Sequence, residues 1–190
     1  VLDGLCKAAA APLHRLLKSE ALGIELGAVR GELADISVAQ VLPEEPLAQV
    51  ALRHTIGLGD PLRAEESPHL DDGLPDTLAD SIRAYGLRYF KIKVTGQAEV
   101  DLPRLRVITE VLTAGCPQGF KATLDGNEQF TDLAVFRDFY EALKADTKLA
   151  PLFDSLLLIE QPLHRSQALN DDVAATLQSW TEGPGMIIDE

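Results

Sequence analysis

Four charged side chains recur beside short apolar runs in the second half of the chain. Lys93 lies in "FKIKV", Asp125 in "ATLDGN", Glu160 in "LLLIEQP" and Asp189 in "MIIDE". Three carboxylates brought into one volume repel one another and raise each other's pKa. A hard divalent cation removes the conflict, and an all-oxygen donor set suits Mg²⁺, which keeps coordination positions for water or substrate. Asp125, Glu160 and Asp189 are therefore the expected metal ligands. The lysines need compensation as well. In "RYFKIKVTG" the alternation of a strand puts Phe90, Ile92 and Val94 on one face and Lys91 and Lys93 on the other. An unpaired buried ammonium costs on the order of several kcal/mol, and a metal cluster with its bound anion would offset the pair. A lysine partly desolvated beside a cation has a lowered pKa and can act as a general base near neutral pH. The competing reading leaves both lysines in solvent on an edge strand.

Such a cluster needs parallel strands that end on the same side. The intervals from Lys93 to Asp125, Asp125 to Glu160 and Glu160 to Asp189 are 32, 35 and 29 residues, close to the roughly 31 per unit of an eight-unit barrel. Strands are expected at Val50–Leu58, 89–94, 120–124, 156–159 and 186–188. Helices are expected from Asp76 or Thr77 to Gly86, from Leu102 to near Gly115, and over 131–145 and 166–180. This alternation predicts a parallel sheet with helical crossovers. The fold class is then α/β, a (β/α)8 TIM-type barrel domain of which the chain holds about strands one to five. Each charged residue falls at the carboxyl end of its strand, the face where such barrels place catalytic groups. Residues 49–190 form this partial barrel. Residues 1–48 form a leading helix, broken or restarted at Pro12, and a connecting or inserted segment. The polar stretch 60–75, rich in proline and acid, reads as a long loop.

Together the motifs resemble the enolase superfamily, in its mandelate racemase and muconate lactonizing enzyme branch. "KIK" is similar to that branch's Lys-x-Lys at strand two, "LDGN" to its Asp-x-Asn at strand three, "IEQP" to its Glu-Gln-Pro at strand four and "IIDE" to its Asp-Glu at strand five. The opening "LDGLCKAAAAPLHRLL" is similar to the helix leading from the capping domain into the barrel, so the resemblance spans nearly the whole chain. It implies that Asp125, Glu160 and Asp189 bind Mg²⁺ and that Lys93 is an acid/base. Lys91 would help hold the substrate carboxylate and depress its neighbour's pKa, with Asn127 and Gln161 standing behind the ligands. Alternation turns Glu190 away from the metal, leaving it a supporting role. The implied reaction starts with removal of a proton alpha to a carboxylate, as in racemases, epimerases, cycloisomerases and acid dehydratases. The cation neutralises charge that develops in the transition state. The family's capping domain and its strands six to eight, with the opposing acid/base, have no counterpart here. Asp as third ligand leans toward the subgroup with a second lysine rather than a His-Asp pair. The chain reads as a piece of a longer protein, inactive alone because an open half-barrel leaves sheet edges unpaired. Two other readings stand beside this one: a Schiff-base aldolase barrel with Lys93 as nucleophile, and a truncated, non-catalytic barrel.

Composition narrows the partners. With 17 basic against 30 acidic residues and a net charge of −13, the chain repels phosphate backbones and anionic lipid. Nucleic acid and membrane are thereby excluded, and a small-molecule carboxylate is the expected partner. No apolar run approaches the roughly 18–20 residues of a membrane span and no leader opens the chain, so a cytoplasmic protein is expected. Homo-oligomerisation is left open. Cys6 and Cys116 lack ligand spacing and read as buried thiols. His14, His54, His69 and His164 show no ligand spacing either, Trp180 reads as packing, and Gly57-Leu58-Gly59 lacks the third glycine of a dinucleotide fingerprint.

Overall fold

A computed structural model describes residues 1–67, 69–70 and 72–189; Glu190, the expected supporting residue, lies outside the described residues. The chain divides into two compact units, Val1–Val50 and Ala51–Glu190. In the first, Pro12 ends one short helix and starts another. With φ at −67° it takes the N-cap place of α2 (Leu13–Lys18), after α1 (Leu2–Ala8). The stretch without clear period folds as α3 (Leu26–Val29), a 3₁₀ turn (Gly31–Leu33) and α4 (Val38–Val41). Lys18 pairs with Glu44 at 2.7 Å, and His14 Nε2 lies 3.0 Å from Pro43 O. Leu16 alone is buried within Val1–Val50, so polar ties rather than a core hold this unit.

In the second unit β1 (Arg53–Ile56), β2 (Tyr89–Lys93), β3 (Lys121–Asp125), β4 (Leu156–Glu160) and β5 (Met186–Ile187) form one sheet. It is all parallel and runs in chain order. The connections carry α5 (Leu78–Tyr85), α6 (Ala98–Gly115), α7 (Leu133–Lys144), α8 (Ala150–Asp154), α9 (Arg165–Ala168) and α10 (Asp171–Ser179). Among the described residues no helix is long and apolar enough to cross a membrane. The fold is mixed α/β, with a five-stranded parallel sheet.

Local chemistry sets the boundaries. Thr77 Oγ1 accepts from Asp80 N–H at 3.2 Å to open α5, and Gly86 closes it at φ 61°. The first strand is shorter than expected because the ladder starts only where Arg53 meets Tyr89. It stops where Gly57 N–H turns to Asp60 Oδ2 at 2.7 Å. The helix expected over 166–180 is two, since Asn170 with Asp171 and Asp172 starts a fresh one. Phe90, Ile92 and Val94 bury one face of the sheet against Leu105, Ile108 and Leu112 of α6. Trp180 packs edge-on to Phe136 and Tyr140, at 6.1 and 5.5 Å between ring centroids. Cys116 is buried as expected, whereas Cys6 is only half-buried because its helix belongs to the coreless unit.

The ladder also fixes the row that matters. Lys93 pairs with Asp125, Asp125 with Glu160, and Glu160 with Ile187. Between β3 and β4 the register shifts: Ala122 faces Leu156, but Thr123 faces Leu158, so Leu157 is an extra residue without a partner on β3.

Candidate functional site

Lys93, Asp125 and Glu160 end three adjacent strands in one row. Alternation sends their side chains, with that of Lys91, to the face opposite Phe90 and Ile92. Asp125 and Glu160 are each 3% exposed, so their charges need partners. Lys91 Nζ supplies one to both, lying 2.6 Å from Glu160 Oε1 and 3.0 Å from Asp125 Oδ2. Lys93 Nζ lies 3.7 Å from Asp125 Oδ2 and donates to Asn127 Oδ1 at 2.9 Å. Arg53 reaches in from β1, its Nη2 2.8 Å from Glu160 Oε2 and its Nη1 donating to Thr123 Oγ1 at 2.9 Å. The lysines thus avoid both an unpaired interior and an edge strand: β2 is flanked by β1 and β3, and the carboxylates compensate it.

Asp189 joins from the segment after β5. Its backbone N–H donates to Gln161 Oε1 at 3.0 Å, while Gln161 Nε2 donates to Leu163 O at 2.8 Å. Gln161 therefore ties the exit of β4 to the exit of β5. The neighbouring Glu160 carboxyl raises the Asp189 pKa, and burial adds to it. Burial works to raise Glu160, but the Lys91 ammonium and the neighbouring Asp189 carboxyl outweigh it and hold the net value below the usual range. For Lys91 burial works downward, and its bonds to Glu160 and Asp125 overcome it, so its pKa is raised. The charges nearest to it are carboxylates, which favour its ammonium form.

Whether these residues fit Mg²⁺ can be tested on the donor atoms. All are oxygens. Glu160 Oε2 is buried yet receives no directed hydrogen bond, the Arg53 contact being one of charge and distance alone. That leaves it a lone pair to give. The Lys91 ammonium, between Asp125 and Glu160, stands where these two acids hold positive charge. The donor chemistry therefore fits the ion. The set of three is not gathered, however: among the described residues no three Asp, Glu, His or Cys side chains converge closely enough to hold a metal.

The loops beyond the strands continue the ladder. Gly126 N–H donates to Glu160 O at 2.8 Å, Glu128 N–H to Gln161 O at 2.8 Å and Phe130 N–H to Pro162 O at 3.1 Å. Gly126 is required by this approach, since a Cβ there would lie 2.5 Å from Pro162 Cα. Asn127, Glu128 and Gln161 all have positive φ, at 44°, 63° and 37°, so non-glycine backbone strain gathers at the two acid-bearing strand ends. Behind β2, the buried Asp101 accepts from Thr95 N–H at 3.0 Å and Gly96 N–H at 3.1 Å, fixing the turn that follows Lys93.

Sequence reasoning brought Lys91, Lys93, Asp125, Glu160 and Asn127 to one place, and Gln161 and Asp189 to its edge. It missed Arg53, which shares the face of Lys91 once β1 is set in register with β2 at Tyr89. It also missed Asp101, Glu128 and Arg165, for which no sequence signal existed beyond charge. The histidines take no part: His14 meets Pro43, His69 meets Asp76 and His164 meets Ser166, while His54 sits edge-on to Phe90. No protein-family model, no curated protein and no solved structure matches the chain.

Proposed function

We propose that the chain carries the proton-abstracting face of a metal-assisted barrel enzyme of the enolase type, acting on a small-molecule carboxylate. The observation that carries this reading is the row of Lys93, Asp125 and Glu160 across the carboxyl ends of three parallel strands, with Lys91 bridging the acids. Asp125, Glu160 and Asp189 would hold Mg²⁺, which when bound supplies positive charge against the charge growing on the substrate carboxylate. Lys93 Nζ takes the alpha proton, and Asn127 Oδ1 orients that nitrogen by accepting one of its N–H groups. Lys91 turns its ammonium from the acids to the substrate carboxylate. Charge balance argues for this substrate class. Arg53, Lys91 and Lys93 offset Asp125, Glu160 and Asp189. With Lys93 in the neutral form that accepts a proton, an added divalent ion leaves one positive charge for the substrate carboxylate, and the proton transfer raises both charges to two. The outcome is racemisation, epimerisation, cycloisomerisation or dehydration.

Three experiments test it. Calorimetric titration with Mg²⁺ should show binding that weakens at least about tenfold in Asp125→Asn and in Glu160→Gln; binding unaltered in both variants, or absent from the parent protein, rejects the metal site. Any deuterium uptake at the alpha carbon of a carboxylate panel in D₂O should vanish in Lys93→Ala. Borohydride trapping of a substrate on Lys93, with turnover indifferent to EDTA, assigns the Schiff-base aldolase instead.

A further inference from the structure

Glu128 stands in a place that suits glycine. Gln129 N–H donates to Gly126 O at 2.9 Å, closing a four-residue turn whose central residues Asn127 and Glu128 have φ of 44° and 63°. Positive φ at both centres is the type I′ pattern, which favours Asn followed by Gly. Asn tolerates the left-handed region, whereas a glutamate there is strained. The Glu128 side chain must therefore do something that glycine cannot. Its carboxylate is met three times by Arg165, at the start of α9: the backbone N–H donates to Oε1 at 2.7 Å, Nε to Oε1 at 2.8 Å and Nη2 to Oε2 at 2.8 Å. This clamp ties the turn after Asp125 to the loop after Glu160. The same turn presents Asn127, whose N–H donates to Asp125 Oδ1 at 2.8 Å and whose Oδ1 accepts from Lys93 Nζ at 2.9 Å.

We propose that Glu128 is a positioning residue of the site: held by Arg165, it locks the turn that sets Asn127 against Lys93 and Asp125. The consequence for catalysis rests on Lys93 being the acid/base, but the geometry does not, so the test uses neither metal nor substrate. Glu128→Gly gives the turn its preferred residue and removes the clamp. Two quantities are read: the thermal midpoint, and the rate at which an amine-acylating reagent labels Lys93 relative to Lys148, by peptide mass spectrometry at one fixed pH.

The expected midpoint stays within about 3 °C of the parent, while relative labelling of Lys93 rises at least about tenfold, as for the loss of one hydrogen bond to a charged group. Arg165→Ala should give the same acceleration. Glu128→Gln, which keeps the oxygen that takes two of the three Arg165 bonds, should return labelling to within about twofold of the parent. Parent-like labelling in both Glu128→Gly and Arg165→Ala overturns the proposal, as does a Gln variant as fast as the Gly variant. Failure of Mg²⁺ to bind leaves this outcome unchanged, so the positioning role and the metal reading stand or fall separately.

Discussion

Lys91 is the residue on which the cluster's electrostatics turn. It is the ammonium shared by two buried carboxylates, so Lys91→Met leaves both without their closest cation. Arg53 still stands 2.8 Å from Glu160, which places the cost at the lower end for a broken buried pair, about 3 kcal/mol by urea unfolding at pH 7. The pH window follows from the direction of each shift. Glu160 sits below its ordinary 4.5, so its share of stability is full above pH 4.5 and fades as pH falls through the folded value. Lys91 sits above its ordinary 10.5, so its share is full below pH 10.5 and fades as pH rises through the folded value. The stability gap between parent and variant should be flat between these limits and narrow outside them. A gap that instead peaks at either extreme contradicts the pairing. The thiols give a second check. Burial raises the Cys116 pKa, and its Sγ donates to Leu87 O at 3.4 Å. A chromogenic disulfide should therefore titrate the half-buried Cys6 quickly and Cys116 only on unfolding.

At the scale of elements, strands and helices were legible because their apolar residues repeat at two distinct periods. Phe90, Ile92 and Val94 alternate, and Leu78 and Ile82 or Phe136, Tyr140 and Leu143 recur at helical spacing; all are buried. The turn residues were less readable. Nothing in "LDGN" announces that Gly126 lies against the backbone of Pro162, since that approach depends on the loops after two neighbouring strands meeting. Gly126→Ala should destabilise the protein by about 2 kcal/mol, the cost of forcing a methyl into packed backbone. Thr77→Ala should cost about 1 kcal/mol through loss of the cap on Asp80 N–H. Denaturant midpoints measure both, and an order reversed between the two would show that the loops can part. Arg53 escaped notice for a related reason: its role appears only when β1 is laid in register against β2 and its side chain spans to Thr123 and Glu160.

For the molecule as a whole, the sheet-bearing unit holds the core, and the first fifty residues hold almost none of it. The stretch joining them has neither helix nor strand and exposes Leu47, Val50 and Leu52. Limited chymotrypsin digestion should cut there first, leaving a fragment beginning near residue 51 with its far-ultraviolet circular dichroism intact. Early cuts inside 89–125 would contradict that ordering of stability. Whole-chain charge, −13, was readable directly, whereas the near neutrality of the cluster was not, because it depends on which charges the strands bring together.

The extra residue Leu157 has a further consequence. Were Leu157 drawn into the ladder with no residue removed, Thr123 would face Leu157 and Asp125 would face Ile159, and side-chain parity would turn Glu160 in among the apolar side chains behind the sheet. Deletion of Leu157 regularises the ladder and keeps Glu160 opposite Asp125, whereas loss of the bulge with the residue retained is a chemical mutation. Variation in chain length between β3 and β4 should be tolerated in the connecting helices and, in the final four residues before the acid, only as loss of the one extra residue.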